Sequence, residues 1–282
     1  MNNIKDILQQ QNFRFNKQFG QNFISDEALL ADICNEAEVD KCSVVLEIGT
    51  GAGSLTRELA RNAKKVFTVE IDNNLSSVLQ ETLFGLDNVK VIYDDIMRLG
   101  VAGIEHIMAG ERYSLVANIP YYITSPLILM FLSKSTKVDK LTLMVQKEVA
   151  DRLIATAGTK EYGVLTVLVQ SLCDARLVRS VSRKMFTPQP DVDSAVVSLA
   201  VRMDKYNIKD RSAFEKCVKC GFSMRRKTLV NCLQSGYSLT KEQAQRALID
   251  CQLPITARGE TLTVTDYINL TETLKNKNEP QL

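Results

Sequence analysis

The 282-residue chain contains a single histidine, His106. That scarcity makes a Ser-His-Asp or Cys-His hydrolase a poor fit, and the Gly-flanked stretch around His106 places it at the surface. No apolar run approaches the roughly 18 residues of a membrane span. The longest candidate, residues 121–132, is broken by Thr124, Ser125 and Pro126. Residues 1–11 are polar and lack the apolar core of a secretory leader. Cysteines number seven and are scattered. Only Cys217-x-x-Cys220 has the spacing of half a zinc site, and neither a second pair nor a set of histidines supplies the other ligands, so no metal is expected. A reduced, cytoplasmic protein that uses cysteine as a small apolar residue follows. Internal repeats are absent, and the only biased stretch is the Gln/Asn-rich segment 9–22, which carries Arg14 and Lys17.

Net charge is also small, +2 from 35 basic and 33 acidic residues, and taken whole it says little about partners. Its distribution says more. Residues 31–110 hold 7 basic and 13 acidic side chains, whereas residues 111–250 hold 22 and 13. Such asymmetry fits nucleic-acid contact or simply two solvated faces of different sign. With 45% hydrophobic and 24% charged residues, the composition is that of an ordinary globular chain, long enough for two domains.

An amphipathic pattern over residues 26–39 predicts a helix capped by Asp26 or Ser25. Strands are then expected at 44–48, 66–70, 89–93, 114–117 and 141–145, with helices at 54–62, 73–84 and 126–132. This alternation implies an α/β, Rossmann-like sheet, mostly parallel and doubly wound. Two further strands at 175–181 and 194–201 are expected to close it as an antiparallel edge. After a charged connector at 204–210, helices are predicted at 213–222, 227–233, 241–249 and 265–274. The boundary falls near 205, giving a sheet domain over 1–204 and a smaller all-helical C-terminal domain over 205–282.

The first strand ends in Gly49-Thr50-Gly51-Ala52-Gly53 and a helix begins at once. Glycines there permit a sharp turn and close approach of a ligand. Glu70 ends the next strand, where a carboxylate accepts from a ribose diol. Nicotinamide and S-adenosylmethionine enzymes share both features, but three details favour the second. Ser54 stands where a dinucleotide fingerprint has Gly. Glu47 precedes the glycines, a poor neighbour for pyrophosphate and a good one for a cationic methionine end. Asp95 follows the third strand, where a carboxylate accepts from an adenine amino group.

The fourth strand ends in Asn118-Ile119-Pro120-Tyr121-Tyr122, at the carboxyl edge where chemistry occurs in such sheets. The exocyclic amine of a nucleobase has a lone pair delocalised into its ring. The Asn118 side-chain oxygen and a backbone carbonyl near Ile119, accepting from that amine, favour a pyramidal nitrogen. Pro120 fixes the bend, and Tyr121 offers a ring on which a base stacks.

These residues resemble the KsgA (RsmA) family of small-subunit ribosomal RNA adenine dimethyltransferases over almost the whole chain. Residues 17–24, 47–56, 118–122, 146–152, 186–197 and 225–229 are each similar to a family motif, in the family's order. The resemblance implies a class I methyltransferase sheet and transfer of methyl groups from S-adenosylmethionine to N6 of two adjacent adenosines. These lie in a hairpin near the 3′ end of the small-subunit RNA, within a pre-small ribosomal subunit, and the chain acts as a monomer in ribosome biogenesis. It implies Asn22, Ile24, Gly49, Gly51, Gly53, Glu70, Ile71, Asp95, Ile96 and Asn118 as cofactor contacts, beside Glu47. It also implies a base sandwiched by Tyr121 and Phe186, and RNA contacts from Arg14, Lys17, Tyr122, Arg225, Arg226 and Lys227. Thr50, Tyr122 and Met224 depart from the residues common in the family. The rivals are an Erm-type methyltransferase of large-subunit RNA, a nicotinamide oxidoreductase, and an assembly factor whose methylation is secondary.

Overall fold

The computed structural model describes residues 4–11, 13, 15, 20–24 and 26–276. In chain order the elements are α1 (Ile4–Gln10), β1 (Phe23–Ile24), α2 (Glu27–Glu36), β2 (Val44–Ile48), α3 (Ser54–Asn62), β3 (Lys65–Glu70), α4 (Ser76–Thr82), β4 (Val89–Tyr93) and α5 (Ile96–Ile107). They continue with β5 (Tyr113–Asn118), α6 (Thr124–Lys134), β6 (Val138–Gln146), α7 (Lys147–Ile154), α8 (Val164–Gln170), β7 (Cys173–Val181), β8 (Phe186–Thr187) and β9 (Ser194–Val201). The last four helices are α9 (Arg211–Gly221), α10 (Leu229–Tyr237), α11 (Lys241–Asp250) and α12 (Val264–Asn276).

Seven strands form one sheet in the order β4-β3-β2-β5-β6-β9-β7. Pairings from β4 through β6 are parallel, and β9 runs antiparallel to β6. Strand β2, Val-Val-Leu-Glu-Ile, is buried at every position, as a parallel strand covered on both faces requires. Helix α3 buries Leu55, Thr56, Leu59 and Ala60, one face at helical spacing. Asp26 caps α2 by accepting the Leu29 N–H at 2.8 Å; Ser25 lies outside the described residues. Because the chain leaves β2 toward β3 on one side and later returns to β5 on the other, the strand order reverses beside β2. A crevice therefore opens at the carboxyl ends of β2 and β5.

The two further strands close the sheet as expected: β9 lies between β6 and the edge strand β7. Helix α5 was not expected, because Gly100 and Gly103 interrupt its pattern. Gly100 adopts φ 62° and ψ −179°, a kink inside the element. His106 lies on this helix and is exposed. A second, two-stranded antiparallel sheet pairs Phe23 with Thr187 and Ile24 with Phe186.

The chain divides into two compact units. One holds the described residues up to Ala150 together with Asp174–Val201; the other holds Asp151–Cys173 and the described residues from Arg202 onward. The break after 201 lies near the expected boundary at 205, but assignment of 151–173 to the helical unit corrects the single cut. The reason is local bonding. The Tyr162 hydroxyl donates to the Leu262 carbonyl at 2.8 Å, its ring lies 6.1 Å from that of Phe222, and the Gly158 N–H donates to the Glu260 carbonyl at 2.7 Å. Cys217, Cys220 and Cys232 are buried in this unit, and burial pushes the Cys217 thiol up to about 12, consistent with an apolar packing role. Among the described residues no helix is long and apolar enough to cross a membrane.

Candidate active site

At the carboxyl ends of β2, β3, β4 and β5 the sheet unit encloses a cavity of about 280 Å³. Its floor is the glycine loop between β2 and α3. Gly51 has φ 56°, and a Cβ there would lie 3.1 Å from the Phe23 ring; at Gly49, with φ 80°, a Cβ would come within 3.4 Å of the Asn118 carbonyl oxygen. Both positions combine a left-handed backbone with close neighbours, so glycine is demanded twice over. Gly53, with φ 83°, stands at the N-cap of α3.

One wall is acidic. Glu70 ends β3 and accepts the Gly51 N–H at 2.8 Å and the Asp72 N–H at 2.9 Å. Burial raises its pKa, and these backbone hydrogen bonds oppose the rise. Asp95 caps α5 by accepting the Met97 N–H at 2.8 Å. Ile71 and Ile96, the residues that follow the two carboxylates, line the same space. Glu47 is 1% exposed. Its carboxylate accepts from the Thr56 hydroxyl at 2.6 Å, and desolvation pushes its pKa up to about 8. Thr68 also bonds Glu47 and lies 2.6 Å from the Thr50 hydroxyl, so the Thr50 departure extends a buried hydroxyl chain. Thr56 sits inside the glycine motif, but nothing in the sequence marked Thr68 as part of the site.

The opposite wall is neutral. The Asn118 amide N–H donates to the Asn22 carbonyl at 3.0 Å, which directs the amide oxygen away from that partner. Pro120 leads into a 3-10 turn at Tyr121–Ile123. The Tyr121 hydroxyl lies 2.8 Å from the Ser194 hydroxyl, and burial raises the phenol's pKa. Tyr122 is 59% exposed and still borders the cavity. Asn22 and Ile24 reach it from the N-terminal segment, held there by the pairing of Ile24 with Phe186.

Phe186, expected to stack on the base opposite Tyr121, is placed differently from Tyr121. It is 4% exposed and packs in the core with Ile24, Val181 and Val196; it is not among the residues lining the cavity. The pairing that draws in the N-terminal segment also holds Phe186 against the core. Arg14 and Lys17 lie outside the described residues. In the helical unit Arg225, Arg226 and Lys227 are exposed in turns ahead of α10 rather than on a helix starting at 227. Arg225 donates to the Lys160 carbonyl at 3.0 Å.

The strand order, the glycine loop after β2, and carboxylates closing β3 and β4 define the fold and site of a class I, S-adenosylmethionine-dependent methyltransferase. The model of the ribosomal RNA adenine dimethylase family matches residues 12–276. The chain is 40% identical over 278 residues to ribosomal RNA small subunit methyltransferase A of Clostridioides difficile, covering 98% of this chain and 96% of that one. It is 39% identical over 273 residues to the protein of the same name in Clostridium acetobutylicum, covering 96% and 97%. In structure it resembles a dimethyladenosine transferase from Plasmodium falciparum, with TM-score 0.74 and 27% identity over 90% of this chain and 98% of that one. It also resembles the 23S rRNA methyltransferase ErmE, with TM-score 0.69 and 29% identity over 90% and 100%. The chain belongs to the ribosomal RNA adenine dimethylase family.

The residues present fit the family's cofactor. A carboxylate offers roughly four acceptor positions, and backbone N–H groups of Gly51, Ile71 and Asp72 occupy three at Glu70, leaving one for a ribose hydroxyl. The half-exposed Asp95 and the apolar Ile71 and Ile96 suit an adenine ring.

Proposed function

We propose that this chain methylates N6 of two adjacent adenosines in a hairpin near the 3′ end of small-subunit ribosomal RNA, giving N6,N6-dimethyladenosines. It acts as a monomer in the cytoplasm on an assembling small subunit. The names of the clostridial relatives support the choice of small-subunit over large-subunit RNA. The observation that carries the chemistry is the hydrogen bond from the Asn118 amide to the Asn22 carbonyl at 3.0 Å. It fixes the amide's orientation through one of its N–H groups, and the oxygen, pointed the other way, accepts from the target amine.

S-adenosylmethionine supplies an electrophilic methyl group on a sulfonium. Glu70, Asp95, Ile71 and Ile96 hold and orient it. Asn118 accepts a hydrogen bond from the adenine N6 amine, draws the nitrogen lone pair out of conjugation and stabilises the positive charge that develops there. Pro120 and Tyr121 position the base. No side chain need act as a strong base, because the methylated ammonium is acidic and gives its proton to water. Arg225, Arg226 and Lys227 contact phosphates.

Undermethylated small subunits incubated with the protein and isotope-labelled S-adenosylmethionine test this by mass spectrometry of the RNA. Label in two adjacent adenosines of the small-subunit RNA, lost with Asn118→Ala, is the expected result. Label confined to large-subunit RNA in a parallel incubation overturns it.

A further inference from the structure

Tyr121 is anchored at both ends. At the backbone end, the Ile123 N–H donates to the Pro120 carbonyl at 3.1 Å and closes the 3-10 turn. At the far end, its hydroxyl lies 2.8 Å from the hydroxyl of Ser194, which is 0% exposed. Ser194 is the first residue of β9 and pairs with Gln146, the last residue of β6. An antiparallel strand begins where its parallel neighbours end, so β9 delivers its N-terminal residue to the edge of the sheet that holds the cavity. The adjoining backbone is tied down as well, since the Lys147 N–H donates to the Asp193 carbonyl at 3.0 Å. Phe186 packs in the core and does not line the cavity. Tyr121 does line it, so the orientation of its ring bears on how a base is received.

We propose that Ser194 is a positioning residue for methyl transfer: its hydroxyl holds the Tyr121 ring in the orientation that receives the target base. The inference rests on the RNA-methylating function proposed above. Ser194 touches neither cofactor nor base, so its contribution is pre-organisation of Tyr121. Loss of one such hydrogen bond costs roughly 2- to 10-fold.

Ser194→Ala, Tyr121→Phe and the double variant form the test; Tyr121→Phe removes the same bond without opening a hole beside β9. Each single variant is expected to lower kcat/KM for the undermethylated small subunit by about 2- to 10-fold, with the S-adenosylmethionine Kd unchanged by calorimetry. The double variant is expected to fall no further than either single. Wild-type turnover in Ser194→Ala, multiplicative losses in the double variant, or a matching loss of cofactor affinity overturns the inference. A second readout needs no RNA. In protein carrying 13C-labelled tyrosine rings, the Tyr121 signal, identified by its disappearance in Tyr121→Phe, is expected to show faster ring flipping in Ser194→Ala. An unchanged flip rate overturns the inference even if the wild-type protein methylates no small-subunit RNA, which would sink the functional proposal instead.

Discussion

The two walls of the cavity are built by opposite means. The wall from β2, β3 and β4 is acidic, and its carboxylates are held from within the continuous segment 47–97: Glu70 by the backbone at Gly51 and Asp72, Asp95 by Met97, and Glu47 by Thr56. The wall from β5 is neutral, and its groups are held by distant parts of the chain: Asn118 by Asn22 and Tyr121 by Ser194. The difference follows the chemistry each wall serves. A cationic, ribose-bearing ligand is recognised by charge and acceptor count, which local turns supply. A neutral base must be placed within a few tenths of an ångström, and that precision comes from groups locked by surrounding packing.

Breaking the neutral wall should have the largest effect. Asn118→Ala removes the acceptor for the target amine and is expected to lower kcat by roughly 10²- to 10³-fold, a loss that single-turnover transfer of labelled methyl will read. Cofactor affinity should change far less.

Glu70→Ala breaks the acidic wall. It removes a ribose acceptor and unpairs the Gly51 and Asp72 N–H groups, so calorimetry should show S-adenosylmethionine binding weakened by roughly 10- to 100-fold. Rates at saturating cofactor should remain near those of the parent.

Glu47 sharpens the comparison, because its position in a buried wall couples charge to folding. Its folded pKa of about 8 lies above the ordinary value of 4.5. Between these values the native state keeps a proton that the unfolded chain releases, so stability falls as pH rises through that window and levels off above it. Glu47→Gln is neutral throughout. Its Tm is therefore expected to gain on the parent progressively from pH 5 to pH 8, measured by calorimetry without ligand.

The smallest effect should come from the helical unit. Arg225→Ala removes one candidate phosphate contact, so the slope of log affinity for RNA against log salt should shrink by about 0.7 to 0.9, with cofactor binding untouched. Much of the positive excess in residues 111–250 serves other ends. Arg112 pairs with Asp139, Arg176 with Glu36, Arg179 with Asp32 and Arg246 with Asp250.

The parallel core was legible because buried strands such as 44–48 are continuous apolar runs bounded by glycine and acidic turns. The cofactor wall was legible for a related reason: each functional residue sits at the end of a strand, and strand ends can be read from local pattern. Helix α5 was hidden by Gly100 and Gly103, which carry no apolar face to count. Segment 151–173 was assigned to the wrong unit because its attachments, such as Tyr162 to Leu262, lie 100 residues apart. Ser194 falls in the motif at 186–197, but its bond to Tyr121, 73 residues away, cannot be read from that motif for the same reason.

By itself, then, the sequence determined the class of chemistry. Three glycines, two strand-end carboxylates and Asn-Ile-Pro-Tyr specify turns and donor sets at strand ends, each readable from its own local run of residues. Tertiary structure alone decided how the target side is assembled. It brought Asn22 to Asn118 and Ser194 to Tyr121, and it turned Phe186 inward. Those outcomes depend on which strands pair and which faces are buried, a choice settled by packing across the whole sheet and not by any local run of residues.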